Sequence, residues 1–398
     1  MEFNILTVHN RYLIRGGEDE SVDSQIRLLT QKGHKITLLE YFNTDIEKIG
    51  KIRTAARTIW SSKAYREVEE ILSGGKYNIL DCQNTFPLFS PSIYYVASKH
   101  KIPVIQTLRN YRLLCPNALF FREGKVCEDC LGKSVQWPGI KHRCYRESFL
   151  GSTTLAVTNY VHNSLGSWKK KVDLFITLTE FARKKYIEAG FPEDRIVVKP
   201  NFVYPDPGVG SGSGNYALFV GRLTEEKGIR TLINAWKQIG TELPLKIVGE
   251  GPLSDFVRKA AEIYHGIEYL GKKDINEVYK IMGDAKVLVF PSEWYETFGR
   301  VAIEAFAKGT PVIASNIGAV AEVVRDGVTG LHFQPGDSND LAEKVKLFLS
   351  NPLRISEMRR AARKEYEEKY TADRNYEMLM EIYDRATSLA KASYKNRR

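Results

Sequence analysis

The sequence predicts an α/β protein made of two doubly wound parallel sheets in series. Short apolar runs of strand length alternate with amphipathic helical stretches along most of the chain, as in a parallel sheet covered on both faces. One segment dense in Gly and Ser, Asp206–Asn215, interrupts the alternation and reads as a linker. The same alternation then begins again. A length of 398 residues suits two domains, each able to bury its own core.

In the first half, Phe3–Val8 reads as a strand, Asn10–Gly17 as a loop, and Glu18–Gly33 as a helix carrying Val22, Ile26, Leu28 and Leu29. The opening residues carry an early acid and no long apolar run, so they read as a core strand rather than a signal peptide. Further strands are expected at Lys35–Leu39, Ile79–Cys82, Pro103–Thr107, Leu174–Leu178 and Ile196–Val198, with helices between them. After the linker come strand Tyr216–Val220, helix Gly228–Ile239, strand Leu245–Val248, helix Leu253–Tyr264 and strand Ile267–Leu270. A helical region from about Asp337 to Ser393, broken near Asn351-Pro352, ends the chain. The domain expectation is therefore 1–205, a linker at 206–215, 216–375, and a terminal helix at 376–398 packing back on the first domain.

Hydrophobic content of 43% and charge of 27% are ordinary for a globular protein. The net charge of +10 is uneven: residues 1–200 hold 30 Lys and Arg against 21 Asp and Glu, the remainder 28 against 27. The first half is thus the side expected to meet an anionic partner. Ser148–Trp168 has no formal charge but is interrupted by Ser, Thr, Asn and His. That excludes a membrane span and leaves an amphipathic helix, with Leu155, Val157, Tyr160, Val161, Leu165 and Trp168 on its apolar side and Lys169–Lys171 at its end. A core helix whose lysines face water is the competing reading.

The chemistry concentrates in the second half. Pro291–Pro311 follows the apolar run Ala285–Phe290 and precedes the strand Val312–Ser315. Thr297-Phe298-Gly299 falls where a helix would start, and the unpaired N–H groups of a helix start suit a phosphate. Glu296 precedes that point and Glu304 lies eight residues on, about 80° away on a helical wheel. Two solvated glutamates are the bland alternative. Gly221-Arg222 and Lys227-Gly228 bracket a loop between a strand and a helix. This is the carboxyl edge where open α/β sheets bind ligands. Arg222 could grip phosphate oxygens bidentately and Lys227 could add a point charge. No Walker A loop and no G-x-G-x-x-G follows a strand.

Gly221-Arg222-x4-Lys227-Gly228, Val248-Gly249-Glu-Gly251-Pro252, Leu270-Gly271 and Glu296-x7-Glu304 occur in this order. The series resembles the group 1 glycosyltransferases, glycosyltransferase family 4, across nearly the whole chain and most strongly over 216–335. The resemblance implies a GT-B fold, two Rossmann-like domains facing a cleft. It implies a retaining transfer of a hexose-type sugar from a UDP- or GDP-sugar to a glycan or a polyprenyl-diphosphate-linked saccharide. A sugar-nucleotide epimerase or hydrolase of the same architecture is the alternative. By resemblance, Arg222 and Lys227 hold the donor diphosphate, Glu304 takes the ribose hydroxyls, and Glu296 with Thr297, Phe298 and Gly299 meets the donor sugar. Gly249, Gly271 and Lys273 flank the base, and Gly16-Gly17 approaches the donor phosphate. No divalent cation is required for catalysis on this reading.

The run Gln106–Pro116 resembles a subgroup's segment in which many members carry His where this chain has Arg109. An arginine there can contact phosphate or a hydroxyl but cannot act as a general base. Cys115, Cys127, Cys130 and Cys144 follow as C-x11-C-x2-C-x13-C. Four thiolates at such spacing suit a structural zinc, with independent buried thiols or a labile disulfide as the alternative. Nucleic acid is not an expected partner, because this loop lacks a dense basic-aromatic pattern. The expected setting is cytoplasmic, peripheral at the inner face of an anionic membrane.

Overall fold

The computed structural model describes residues 2–395. The chain divides into two compact units. The first comprises residues up to 120, 128–200 and from 375 onward; the second comprises 121–127 and 201–374.

The strands in chain order are β1 (Asn4–Arg11), β2 (Lys35–Phe42), β3 (Ile79–Cys82), β4 (Val104–Thr107), the hairpin β5 (Phe121–Arg122) and β6 (Lys125–Val126), β7 (Leu174–Thr177) and β8 (Ile196–Val198). In the first unit the sheet order is β2-β1-β3-β4-β7-β8, every pair parallel. β3, β4 and β7 are buried at every position, which accounts for their unbroken apolar runs. The last helix, Ala372–Lys395, closes this core: Leu379, Ile382 and Tyr383 cluster with Phe3, Ile5 and Ile79.

The second unit contains β9 (Ala217–Val220), β10 (Leu245–Val248), β11 (Ile267–Gly271), β12 (Val287–Phe290), β13 (Val312–Ser315) and β14 (Gly330–Phe333). Its sheet runs β11-β10-β9-β12-β13-β14, again entirely parallel. Trp236 is fully buried in its core and donates its indole N–H to the Leu243 carbonyl at 2.7 Å.

Both orders contain a point where successive connections leave in opposite directions. In the first unit it lies between β1 and β3; in the second, between β9 and β12. The carboxyl ends of those strands form the crevice where doubly wound sheets take ligands. The GT-B architecture of two Rossmann-like units is thus present strand by strand.

The terminal helical region breaks twice rather than once, into Ser338–Leu349, Pro352–Lys369 and Ala372–Lys395. Asn351 caps the middle helix, accepting from the Arg354 N–H at 3.1 Å, so the Asn-Pro break has a local cause. At the second break Thr371 stands in the same position, its Oγ1 accepting from the Arg374 N–H at 3.4 Å.

The stretch Ser148–Trp168 forms the helix Phe149–Ser164 followed by a short turn of helix at Ser167–Lys171. Leu155 and Trp168 are buried at 2% and 4% exposure, so they do not belong to the apolar outer side expected of them. Phe149, Leu150, Val157, Tyr160 and Leu165 are exposed. Lys171 also departs from a free lysine end: it donates to Ser98 Oγ at 3.0 Å and lies over the Tyr95 ring. Among the described residues, no helix is long and apolar enough to cross a membrane.

Candidate active site

The crevice of the second unit is built from two loops, Gly221–Gly228 after β9 and Pro291–Gly299 after β12. Two glycines let these loops come close. Gly228 adopts φ +69, and a Cβ there would lie 1.9 Å from the Pro291 carbonyl oxygen. Gly249, after β10, adopts φ +141, with the Gly221 carbonyl oxygen 1.8 Å from any Cβ. Neither position admits a side chain.

Across the crevice Lys227 forms an ion pair with Glu296, its Nζ donating to Oε1. The same carboxylate oxygen accepts from Ser292 Oγ at 2.8 Å and from the Trp294 indole N–H at 3.0 Å. Glu296 is 7% exposed, so this is a nearly buried carboxylate with Lys227, Ser292 and Trp294 among its donors. The Lys227 ammonium also lies 5.4 Å from the Trp294 ring centroid. Ser292 and Trp294 were not singled out from the sequence, although both stand in the P-S-E-W-Y-E run and both carry donors.

The helix after Glu296 is Arg300–Ala307, with Gly299 as its N-cap in the left-handed region. Glu296 therefore sits in the preceding turn, and the helical-wheel angle between it and Glu304 does not apply. Phe298 is buried against Tyr370, so its side chain serves packing while the chain at Thr297–Gly299 leads into the helix start. Glu304 accepts from Arg300 Nε at 2.8 Å on its own helix. Tyr279 stands beside this pair, and burial together with the Glu304 charge pushes its phenol up.

Arg222 is exposed in the loop after β9 and, among the described residues, has no carboxylate partner. In the same loop the buried Thr224 Oγ1 has no hydrogen-bond partner among the described residues. Glu293, half-buried, accepts from Thr231 Oγ1 at 2.6 Å, and its burial pushes that carboxyl up. On the β10–β11 side, Gly249 N–H donates to the Gly271 carbonyl at 2.9 Å, aligning the two expected base-flanking glycines. Lys273 lies 3.5 Å from Glu277 in an exposed pair.

In the first unit, Gly16 is the N-cap of the helix Gly17–Gln31, in extended backbone with open space where a Cβ would be. The fold itself therefore does not demand glycine at position 16. Asp19, in the first turn, is buried and accepts from His9 Nε2 at 2.7 Å. His9 Nδ1 is buried without a partner among the described residues. Arg109 is 8% exposed and donates from Nε to Gln83 Oε1 at 3.0 Å.

The cysteines depart from the zinc expectation. All five are thiols, with no disulfide among them. Among the described residues no group of three or more His, Cys, Asp or Glu side chains is placed to hold a metal ion. Cys115 lies buried in a tight turn, and burial pushes its thiol up. Cys130 Sγ faces the Gln136 carbonyl at 4.0 Å.

Residues 209–368 match the family of glycosyl transferases group 1. An uncharacterized glycosyltransferase of Methanocaldococcus jannaschii is 37% identical over 174 residues, 42% of this chain and 48% of the relative. A phosphatidyl-myo-inositol mannosyltransferase of Mycobacterium leprae is 31% identical over 249 residues, 60% of this chain and 66% of the relative. Among solved structures, Anabaena HepE in complex with UDP superposes with a TM-score of 0.66 at 16% identity, covering 96% of this chain and 99% of that one. The aligned part of the chain spans about half or less of the length of the first curated relatives it matches. The fold and the family match define a GT-B protein. The chain belongs to the group 1 glycosyltransferases.

Proposed function

We propose that this chain is a retaining glycosyltransferase of family 4 that moves a hexose from a nucleoside-diphosphate sugar to a lipid-linked or free glycan. The observation that carries the reading is the Lys227–Glu296 pair at the switch point of the second sheet, beside an open helix start. When the donor binds, Lys227 and Arg222 neutralise the diphosphate together with the N–H groups at Thr297–Gly299. Glu296, already held by Ser292 and Trp294, faces the sugar as positive charge grows at its anomeric carbon. Glu304 takes the ribose hydroxyls, with Arg300 fixing its orientation. In the first unit, Gly16-Gly17 would approach the donor phosphate and Arg109 would contact phosphate or a hydroxyl. HepE, solved with UDP and with UDP-glucose, supports a uridine donor. The mycobacterial mannosyltransferase, by its name, supports a lipid acceptor.

For the acceptor, the first unit offers a cavity of about 370 Å³ lined by Ile46, Phe86, Pro87 and Leu150, with Lys51 and Arg146 among its walls. Ile46 follows β2 and Phe86 follows β3, so the cavity belongs to the carboxyl edge of the sheet. Apolar walls with two cations suit a lipid chain joined to phosphate. Contact with an anionic membrane at exposed Phe149 and Leu150 belongs to the same reading. Liposome co-sedimentation checks it: binding should require anionic lipid and weaken as salt rises. Equal binding to neutral vesicles, or none, would assign the acceptor to solution.

A thermal-shift panel of UDP- and GDP-sugars tests the donor. At about one hundred times its Kd, the true donor should add about 2.7 kcal/mol of stability. Turnover with that donor should yield glycosylated acceptor and persist in EDTA. Release of free sugar alone would turn the reading to a hydrolase, and no response to any nucleotide sugar would overturn it.

A further inference from the structure

A second cavity, of about 350 Å³, lies wholly within the first unit and has no part in the reading above. That volume is within the roughly 300–1,000 Å³ typical of small-ligand sites. Trp168 and Lys169 in its wall belong to the short helix before β7, Phe191 lies in the connection to β8, and Leu113 and Leu114 come from the segment after β4. None of the residues assigned to the transfer site lines it.

Its lining is polar and ordered. Asn159 and Gln136 are each 4% exposed. Asn159 Nδ2 donates to Gln136 Oε1 at 2.9 Å and to the Arg112 carbonyl at 3.0 Å, and Gln136 Nε2 donates to the Leu113 carbonyl at 3.2 Å. These bonds lock two amides into the wall. Tyr160, half exposed, and the edge of Trp168 supply aromatic surface of the kind that packs against the C–H face of a pyranose. Lys133 and Lys169 complete the wall. Neither has a carboxylate partner among the described residues, and no Asp or Glu lines the cavity. Two unopposed cations beside amides and an aromatic ring fit a sugar that bears a negative charge.

We propose that this cavity is a saccharide-binding site for an acidic sugar residue, separate from the transfer site and independent of its assignment. It would hold a remote part of a glycan while the reacting end lies elsewhere.

Titration calorimetry on the full chain tests this with tetragalacturonate, maltotetraose and inorganic phosphate as probes. Tetragalacturonate should bind at least tenfold more tightly than maltotetraose, and its affinity should fall as salt rises. The double variant Lys133→Gln, Lys169→Gln should lose at least tenfold in that affinity, and Tyr160→Ala should lose several-fold, with unchanged thermal midpoints showing that the fold persists. Equal affinity for the neutral and acidic saccharides would overturn the proposal. So would phosphate binding as tightly as tetragalacturonate, wild-type affinity in the double variant, or no binding of tetragalacturonate at all.

Discussion

Lys227→Ala is expected to lower kcat/KM about fiftyfold or more while the fold survives. Two effects follow. The ammonium's contact with a donor phosphate is worth about 1.5–3 kcal/mol as a charge-assisted hydrogen bond. Its removal also takes the paired cation from the Glu296 carboxylate, 7% exposed, while the Ser292 and Trp294 donors remain. Breaking a buried pair costs about 3–5 kcal/mol of folding stability, and the Lys227 side chain is 23% exposed, so the lower end applies to the fold, while the loss in kcat/KM follows the phosphate contact. Arg222, exposed and without a carboxylate partner among the described residues, should cost less when replaced by alanine, about tenfold. Glu296→Gln should lower kcat while leaving the Kd for free nucleoside diphosphate within about threefold, since the diphosphate cations remain. Glu304→Gln should do the reverse. In the double variant Lys227→Ala, Glu296→Gln the losses should fall short of additive, because the two side chains act as one unit. Near-wild-type kinetics in Lys227→Ala, or strict additivity in the double variant, would remove the pair from the site.

Much of this site was legible because short apolar strands flanked by glycine and charge leave few topologies open. Gly221-Arg222 and Lys227-Gly228 were visible as a strand-to-helix loop, and the structure explains the second glycine by its approach to Pro291. Other features depend on contacts across the sheet that no local pattern encodes. The pairing of Lys227 with Glu296 joins residues 69 apart in sequence. The grip of Ser292 and Trp294 on that carboxylate depends on how the turn before Arg300 folds. The wheel angle assigned to Glu296 and Glu304 failed for the same reason, since the helix begins four residues after Glu296. Leu155 and Trp168 left both readings open, because a charge-free stretch reads alike whether its apolar residues face lipid or core. The four cysteines have ligand-like spacing, but spacing does not say whether three side chains converge on one point, and among the described residues none do. Lys199 carried no sequence signal at all, being one lysine at a strand end.

Lys199 should give the fold a pH dependence that its removal abolishes. It follows β8, is 3% exposed, and donates to Asn375 Oδ1 at 2.9 Å. Asn375 in turn donates to the Pro200 carbonyl at 2.7 Å, so the group ties the chain leaving β8 to the start of the last helix. The charged neighbours facing it are Asp81 and Arg109; Asp81 is itself buried, with Gln25, Gln83 and Tyr383 as partners. Burial, and then the Arg109 charge, push the Lys199 amine down to about 7 against the pull of Asp81. Between about pH 7 and 10.5 the unfolded chain therefore binds more protons at this residue than the folded one. Stability must then rise with pH in that window, at up to about 1.4 kcal/mol per unit, and the contribution is flat below pH 7 where both states are protonated. Burial raises the Cys82 thiol and the Tyr383 phenol well above their ordinary values, so both oppose the trend once the unfolded chain begins to ionise them. The comparison is cleanest between pH 7 and 8.5. Lys199→Met keeps the volume and removes the charge. Urea melts across that range should show stability rising in the wild type and a markedly smaller slope in the variant. At pH 7 the variant should be at least as stable, despite the lost bond to Asn375, because a desolvated ammonium costs more than one hydrogen bond contributes. Parallel pH profiles in the two proteins would mean that Lys199 titrates as an ordinary lysine and that its burial carries no charge penalty.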